Sequence, residues 1–320
     1  MKLLIVGDLH IRGTNPRHRL GNYMFDVMEK LEFINLTAKE HEAAVIQTGD
    51  IFDSPSVSYS IFSETLRAIS KYSNTWYTIS GNHDLLAHNL YSIDRTPYGA
   101  LMAANVIEDI HAKSIIKKDF ILEGQSFNYT TDDGTHTEYT SCFADAEGSH
   151  TKILVVHGML MPHAPVFDKY TLIKDIAHKT PAEIVISGHY HKPFIERANG
   201  KLFINPGSVM RISAAEEELT RMPHVVLLDT VTKSTTVIPI ACASPGEAVL
   251  DREQLIEDNT RIKNMEKFMQ SLDITSESRY LDIQSILEHV IKEEKMQQEE
   301  ANKLLGLALH KLHEARQSRK

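Results

Sequence analysis

The sequence Ser187-Gly188-His189-Tyr190-His191 places two imidazoles two residues apart, directly after the apolar run Glu183-Ile184-Val185-Ile186. The run has the length and composition of a buried strand, and the glycine frees the turn that follows it. A short loop at such a strand end can hold both imidazoles in one cleft. Because imidazole is a common metal ligand, the stretch predicts a metal site here, with a pair of surface histidines as the alternative.

Four earlier apolar runs also end in a glycine next to side chains that carry oxygen or nitrogen donors. The donors after these runs are Asp8 and His10, Asp50, Asn82-His83-Asp84, and His157. Apolar residues at helical spacing lie between the first three runs, within residues 20–34 and 59–70. This alternation of strands and helices predicts a parallel α/β sheet whose strands end at one shared edge. A turn carboxylate and a surface histidine would explain Asp8-Leu9-His10 by itself, but the motifs together predict one site.

Composition is that of an ordinary globular protein, with 42% hydrophobic and 24% charged residues in 320. The formal charge of -9 argues against a generally basic nucleic-acid binder, although bound divalent cations and a local basic groove would offset it. Two cysteines without a CxxC motif disfavour a disulfide framework and indicate a reducing compartment. The first apolar run is too short for a signal peptide or a membrane span, so we expect a cytoplasmic protein.

The pattern changes after a third, short helical stretch at residues 91–104. Short apolar or alternating runs over Val106–Phe143, with turn signals between them, predict antiparallel strands that form a second sheet. Asn199-Gly200 predicts a hairpin, and Ala243-Ser244-Pro245-Gly246 is the best candidate for a linker. The remainder is charged and has helical spacing. These signals predict a first domain over residues 1–210, closing strands over 211–250 and a helical region over 251–320.

In their order and residue types the five motifs resemble those of the calcineurin-like metallophosphoesterases, over roughly residues 1–210. The resemblance implies an α/β fold, a two-sheet β-sandwich flanked by helices, with a small C-terminal cap and a helical extension. It implies one metal ion held by Asp8, His10, Asp50 and His191, and a second held by Asp50, Asn82, His157 and His189. Asp50 would bridge the two ions.

The donor set agrees with such a centre. Carboxylate, amide and imidazole ligands without a thiolate suit Mn²⁺, Fe²⁺ or Zn²⁺, and the resemblance implies Mn²⁺. Two such ions about 3.5–4 Å apart can bind a phosphodiester, activate water and neutralise the leaving oxygen. By the same resemblance His83 is not a ligand but protonates the leaving group or stabilises the transition state. Asp84 is expected to orient His83 by a hydrogen bond, and capping of the following helix explains it equally well.

Three segments resemble the Mre11/SbcD branch of DNA nucleases. They are Gly49-Asp50-Ile51-Phe52-Asp53, Gly81-Asn82-His83-Asp84 and Gly207-Ser208-Val209-Met210-Arg211. Some members of that branch carry histidine where Asp53 stands, so the role of Asp53 is left open. The branch implies an Mn²⁺-dependent exonuclease and endonuclease for DNA end processing, recombination or repair. A phosphodiesterase acting on small molecules or nucleotides is the alternative.

The resemblance also implies partners. They are DNA, a second copy of the chain and an SMC-like ATPase of the Rad50/SbcC type. Residues 211–250 would then form a reduced DNA cap, and residues 280–316 would be the ATPase-docking helices. Four arginines are candidates for contacts to DNA phosphates, although a solvated loop explains most of them nearly as well: Arg12, Arg17, Arg19 and Arg211.

Overall fold

The computed structural model describes residues 1–140, 143, 150–271, 303 and 306. The chain divides into two compact units, residues 1–251 and residues 252–320. Strands of the first unit are β1 (Lys2–Val6), β2 (Ala43–Gln47), β3 (Trp76–Thr78), β4 (Glu108–Asp109), β5 (Ser114–Ile116), β6 (Phe120–Gln125), β7 (Thr151–Gly158), β8 (Leu160–Met161), β9 (Thr171–Leu172), β10 (Ile184–His189), β11 (Phe194–Ala198), β12 (Lys201–Asn205), β13 (His224–Asp229) and β14 (Thr235–Pro239).

Helices are fewer and mostly short. They are α1 (Tyr23–Glu40), α2 (Tyr59–Ser70), α3 (Pro97–Ala103), α4 (Ile173–Ile176), α5 (Glu216–Thr220) and α6 (Gly246–Val249) in the first unit, and α7 (Arg252–Ser271) in the second. The three longest helices of the first unit begin at side-chain caps supplied by Asn22, Ser58 and Thr96, each of which accepts a hydrogen bond from a backbone N–H of the first turn.

The first sheet has the strand order β14-β13-β1-β2-β3-β4. Strands β1 to β4 are parallel, and β13 pairs with β1 in the antiparallel direction. Both faces of β1 are covered, because Leu3 and Ile5 lie in the core between the sheets while Leu4 and Val6 pack with α1. A strand buried on both faces is a continuous apolar run, which is the pattern its sequence has.

The second sheet has the order β11-β12-β10-β7-β6-β5, and its four central strands are parallel. The prediction of antiparallel strands over Val106–Phe143 was therefore largely wrong. Among the described residues of this stretch, only β5 and β6 pair in that way, whereas β4 joins the first sheet and Thr137–Tyr139 is a 3-10 turn. Short alternating runs do not specify which distant strand they pair with, and here β6 pairs with β7, about 30 residues further along the chain.

Two sheets packed face to face, with helices on their outer surfaces, confirm the expected fold class. The core between the sheets is aliphatic, and it includes Ile46, Leu122, Val155 and Ile186. A separate cluster joins the outer face of the second sheet to α4. One edge of this sandwich carries the polar motifs. They lie at the carboxyl ends of five strands: β1, β2, β3, β7 and β10.

The C-terminal predictions are only partly covered by the structure. Residues 211–250 contribute β13 and β14 to the first sheet and also form α5 and α6. The asparagine-glycine hairpin is confirmed as the turn between β11 and β12. Residues 280–316, where docking helices were expected, lie outside the described residues except for 303 and 306. Among the described helices, none combines the length and the apolar character that crossing a bilayer requires.

Candidate metal centre

Asp8 joins the two sheets at the edge where the motifs meet. It follows β1, and its carboxylate accepts hydrogen bonds from the backbone N–H of His189 at 3.1 Å and from the hydroxyl of Thr48 at 3.3 Å. The backbone N–H of His10 donates to the carbonyl of Asp50 at 3.0 Å. These bonds place the ends of β1, β2 and β10 next to one another, so residues about 180 positions apart share one pocket.

One group of donors surrounds Asp8. Nε2 of His191 is 3.2 Å from Oδ2 of Asp8 and 3.0 Å from Nε2 of His10. Nε2 of His10 is in turn 3.9 Å from Oδ2 of Asp50. Two imidazole nitrogens at this distance share a single proton or face a common cation, since two N–H groups would repel each other. All four residues that were predicted to hold the first ion therefore lie together.

A second group of donors adjoins the first through Asp50. Nε2 of His157 is 3.1 Å from Oδ1 of Asn82 and 3.4 Å from Oδ2 of Asp50. Nδ1 of His157 lies 2.7 Å from the carbonyl of Thr48 and donates its proton there. The lone pair on Nε2 of a neutral His157 then faces two oxygen acceptors, an arrangement that a cation would satisfy. His189 offers a donor to the same group.

The residues fit a pair of divalent cations. Oδ2 of Asp50 is buried between the two groups and has no hydrogen-bond partner, and an unpaired buried carboxylate oxygen is costly unless a cation neutralises it. Burial alone would lower the pKa of His157, but the negative charge of Asp50 outweighs it and raises this pKa to about 9. Burial and the positive charge of His157 lower the pKa of His189 to about 4. The pocket thus favours a positive charge beside Asp50 and keeps His189 neutral, and its donors are oxygen and imidazole nitrogen.

Backbone strain is concentrated in the same loops. His10, Asp50 and His189 all have positive φ angles, of 46°, 54° and 73°, a region that L residues seldom adopt. Close approach accounts for the neighbouring glycines. A methyl group on Gly49 would lie 2.2 Å from Nδ1 of His157, and one on Gly81 would lie 2.1 Å from Oδ1 of Asp50. The strained positions aim the donors inward, as is common at functional sites.

The family model of the calcineurin-like phosphoesterase superfamily domain matches residues 1–233. The chain belongs to this superfamily. Its members are metal-dependent phosphoester hydrolases that typically use two metal ions, so hydrolysis of a phosphoester at a metal centre is the activity of this chain. The groups described above are the candidates for that centre.

Two solved structures are similar in fold. The TT1561 protein of Thermus thermophilus has 12% sequence identity and a TM-score of 0.47, and the match covers 75% of this chain and 98% of that protein. A novel archaeal phosphodiesterase has 19% sequence identity and a TM-score of 0.41, and the match covers 75% of this chain and 99% of that protein. No curated protein sequence matches this chain significantly.

His83 lies beside the candidate metal centre. Its backbone N–H donates to Oδ1 of Asp50 at 2.8 Å, and Nδ1 of its half-exposed ring lies 2.8 Å from the carbonyl of Asp53. The ring stands edge-on to that of His10, with centroids 4.8 Å apart. Because Nδ1 donates to a carbonyl, Nε2 is the nitrogen left to carry or accept a proton. A donor atom of His83 also lies within 4.8 Å of donors on His10 and Asp50, so its exclusion from the ligands stays a prediction.

Asp53, whose role the motif comparison left open, contacts the site directly. Its Oδ1 is 3.3 Å from Nδ1 of His10, and its Oδ2 is 2.8 Å from Nη1 of Arg12. A carboxylate behind a ligating imidazole fixes the ring orientation and the tautomer. The only sequence signal for this role is its position three residues after Asp50, which does not reveal that its partner is a histidine 43 residues earlier.

The expected role of Asp84 was wrong. Its buried carboxylate neither orients His83 nor caps a helix, but accepts hydrogen bonds from three backbone N–H groups. These belong to Ile51, Phe52 and Gly81, at 3.3, 3.0 and 3.0 Å. Asp84 therefore connects the loop after β2 to the loop after β3. Burial and the nearby charge of Asp50 raise the pKa of Asp84 to about 7.

Two of the four arginines predicted to contact DNA are interior residues. Arg19 and Arg211 are 7% and 3% exposed. Arg19 donates to the carbonyl of Arg211 at 3.1 Å, and Arg211 donates to the carbonyl of Ser244 at 2.7 Å. Their guanidinium groups are enclosed and cannot reach a phosphate, so these two predictions were wrong. Arg12 is half-buried at the rim, and Arg17 is exposed.

These interior cations fix the segment that follows β12. Four consecutive carbonyls, those of residues 208–211, each accept a hydrogen bond from a cationic side chain. The donors are Arg221 to Ser208, Lys30 to Val209, Arg221 to Met210 and Arg19 to Arg211, at 2.7, 2.8, 3.2 and 3.1 Å. The N–H of Val209 in turn donates to the carbonyl of Asp8 at 3.0 Å. The segment therefore supports the first motif from behind.

Proposed function

We propose that this chain is a two-metal phosphodiesterase that cleaves DNA, as the nuclease subunit of an Mre11/SbcD-type complex. The observation that carries the proposal is Asp50, a buried carboxylate between two groups of oxygen and imidazole donors, with one oxygen that has no hydrogen-bond partner. Preference for DNA over a small ester rests on the resemblance of three segments, residues 49–53, 81–84 and 207–211, to that nuclease branch.

The two ions would share Asp50. Asp8, His10 and His191 would complete one site, and the other would be completed by Asn82, His157 and His189. When bound, a pair of such ions positions the phosphodiester, lowers the pKa of water and offsets the charge of the leaving oxygen. Mn²⁺ is the ion we propose, because no donor of the set is a thiolate and the nuclease branch uses it.

The remaining chemistry belongs to side chains of the chain itself. His83 would donate a proton to the leaving oxygen through Nε2, while its Nδ1 is held by the carbonyl of Asp53 at 2.8 Å. Asp53 holds the ring of His10 in place, and Arg12 holds Asp53. The strained loop positions leave these groups little freedom, so the donors are preorganised before substrate arrives.

We further propose that the chain acts in the cytoplasm, at DNA, together with an SMC-like ATPase of the Rad50/SbcC type, and that residues 280–316 bind this ATPase. The apolar stripes of that region support this assignment. Among the four arginines considered for phosphate contacts, Arg12 and Arg17 remain in the proposal because they lie at the surface.

The test uses the full chain, loaded with Mn²⁺, against linear DNA and bis-p-nitrophenyl phosphate, with and without the ATPase. We expect cleavage of both substrates and loss of both activities in Asp50→Ala. Cleavage of the small ester alone, even with the ATPase present, would favour a phosphodiesterase acting on small molecules or nucleotides. Absence of bound metal in the folded protein would overturn the proposal as a whole.

A further inference from the structure

A cavity of about 340 Å³ opens beside the candidate metal centre. Two residues of the centre, His189 and His191, form part of its wall, so the cavity adjoins the centre. Its volume lies within the range of about 300–1,000 Å³ found for cavities that hold small organic molecules. An occupant of this cavity that is covalently joined to a phosphate could place that phosphate between the metal-binding groups.

We propose that this cavity binds the base of a nucleotide whose phosphate lies at the metal centre. The inference rests on the proposed phosphodiesterase function and adds to it the part of the substrate that the enzyme recognises. It also predicts that the base must be unstacked, so that the preferred substrate is a single strand, a frayed end or a short nucleotide diester.

Several other lining residues are apolar or aromatic. Met210, which is 1% exposed, and the partly buried Ile212 supply aliphatic surface, and Phe167 and Tyr190 supply two rings. Flat apolar surface with aromatic rings suits the faces of a heterocyclic base, which stack on aromatic side chains irrespective of sequence. A sugar or a second phosphate would lose its hydration against such a wall.

Each carboxylate or ammonium group that lines the cavity belongs to an ion pair. Glu217 forms an ion pair with Lys192, and Glu218 forms a bidentate pair with Arg221. Each carboxylate that lines the cavity thus has a cationic partner beside it. A neutral base meets less electrostatic penalty here than a carboxylate or an ammonium group would.

Phe167 is the residue best placed to respond to a base. Its ring is 44% exposed, although its edge packs against Tyr170 with centroids 6.2 Å apart and an interplanar angle of 87°. The contact with Tyr170 orients the ring and leaves much of it uncovered. Val166 precedes it and is fully exposed, so it serves as a control position in the same loop.

The test compares two diesters with the same chromogenic leaving group. Thymidine 5′-(p-nitrophenyl phosphate) carries a base, and ethyl p-nitrophenyl phosphate does not. Each is assayed with the Mn²⁺-loaded full chain, and the preference is the ratio of the two kcat/KM values. We expect a preference for the thymidine ester of about 5- to 150-fold, expressed mainly in KM, because stacking of one base is worth about 1–3 kcal/mol.

Variants of Phe167 test whether the preference for the thymidine ester arises in the cavity. Phe167→Ala should remove most of it, Phe167→Trp should keep it, and Val166→Ala should leave it at the wild-type value. Equal hydrolysis of both esters by the wild type, or an unchanged preference in Phe167→Ala, would overturn the base-binding inference while the phosphodiesterase function stands. Hydrolysis of neither ester by the metal-loaded protein would instead refute the proposed function.

Discussion

Replacing Asp53 with asparagine keeps the shape of the side chain and removes its charge. In the folded protein the carboxylate lies 3.3 Å from Nδ1 of His10 and 2.8 Å from Nη1 of Arg12, and its side chain is 18% exposed. Burial would raise the pKa of Asp53, but the nearby His10 and Arg12 outweigh it and lower this pKa, so the group is ionised at neutral pH. The substitution therefore changes the electrostatic support of one predicted ligand without opening a cavity.

The expected size of the effect follows from that position. Carboxylates that hold a ligating histidine contribute about 10- to 100-fold to metal affinity, which corresponds to about 1.4–2.8 kcal/mol. We expect this loss at the ion that shares His10, and little change at the other ion. The Arg12–Asp53 pair is partly exposed, and such pairs contribute about 0–1 kcal/mol. Arg12→Gln should accordingly weaken the same site less than about fivefold.

Calorimetric titration of Mn²⁺ into chelator-treated protein measures both affinities in one experiment. Wild type, Asp53→Asn and Arg12→Gln are compared at the same pH, with thermal unfolding as a check on the fold. The reasoning fails if Asp53→Asn binds both ions with wild-type affinity. It also fails if Arg12→Gln loses as much affinity as Asp53→Asn, because the arginine rather than the carboxylate would then support the site.

Three further predictions concern Asp50 as the ligand shared by both ions, His83 as the proton donor, and the buried amine of Lys30. Asp50→Ala should empty or weaken both metal sites, because one carboxylate serves both ions, and metal analysis that finds two tightly bound ions would contradict the bridge. His83→Ala should keep both ions while cleavage falls by about 10²- to 10⁴-fold, and loss of an ion instead would identify His83 as a ligand. Burial, followed by the positive charge of Arg19, lowers the pKa of Lys30 from 10.5 to about 7. Between these values the unfolded chain holds a proton that the folded chain lacks, so the free energy of unfolding should rise with pH above 7, by up to about 1.4 kcal/mol per pH unit. Urea unfolding at pH 7, 8 and 9 should give a smaller rise in Lys30→Met, and equal slopes would refute this assignment.

Much of the site could be predicted because its chemistry is encoded locally. The metal-ligand candidates occur in short motifs at the ends of apolar strands, each motif containing a glycine, and parallel strands bring their carboxyl ends to one edge whatever their exact order. Asp8 and His191 could therefore be assigned to one pocket from motifs alone. The fold class followed from the same alternation of strands and helices.

The errors concern partners that are distant in the sequence. Asp84 accepts hydrogen bonds from Ile51 and Phe52, and nothing near Asp84 in the chain indicates that it serves another loop. Arg19 and Arg211 lie in loop segments, yet they are buried because each satisfies a backbone carbonyl that the fold encloses. Charge in a loop predicts exposure on average, and only the packed structure identifies the exceptions.

The support of the segment 208–211 has a consequence for protein synthesis. A ribosome has made all seven metal-ligand candidates once it has translated His191, but Arg221 and the strand β13, which lies next to β1, are still missing. Until they emerge, the first motif lacks part of its backbone support, and β1 has β2 but not β13 beside it. The nascent chain therefore carries the candidate ligands before it has the framework that holds them, so we expect the metal centre to form only after residue 229 has been translated.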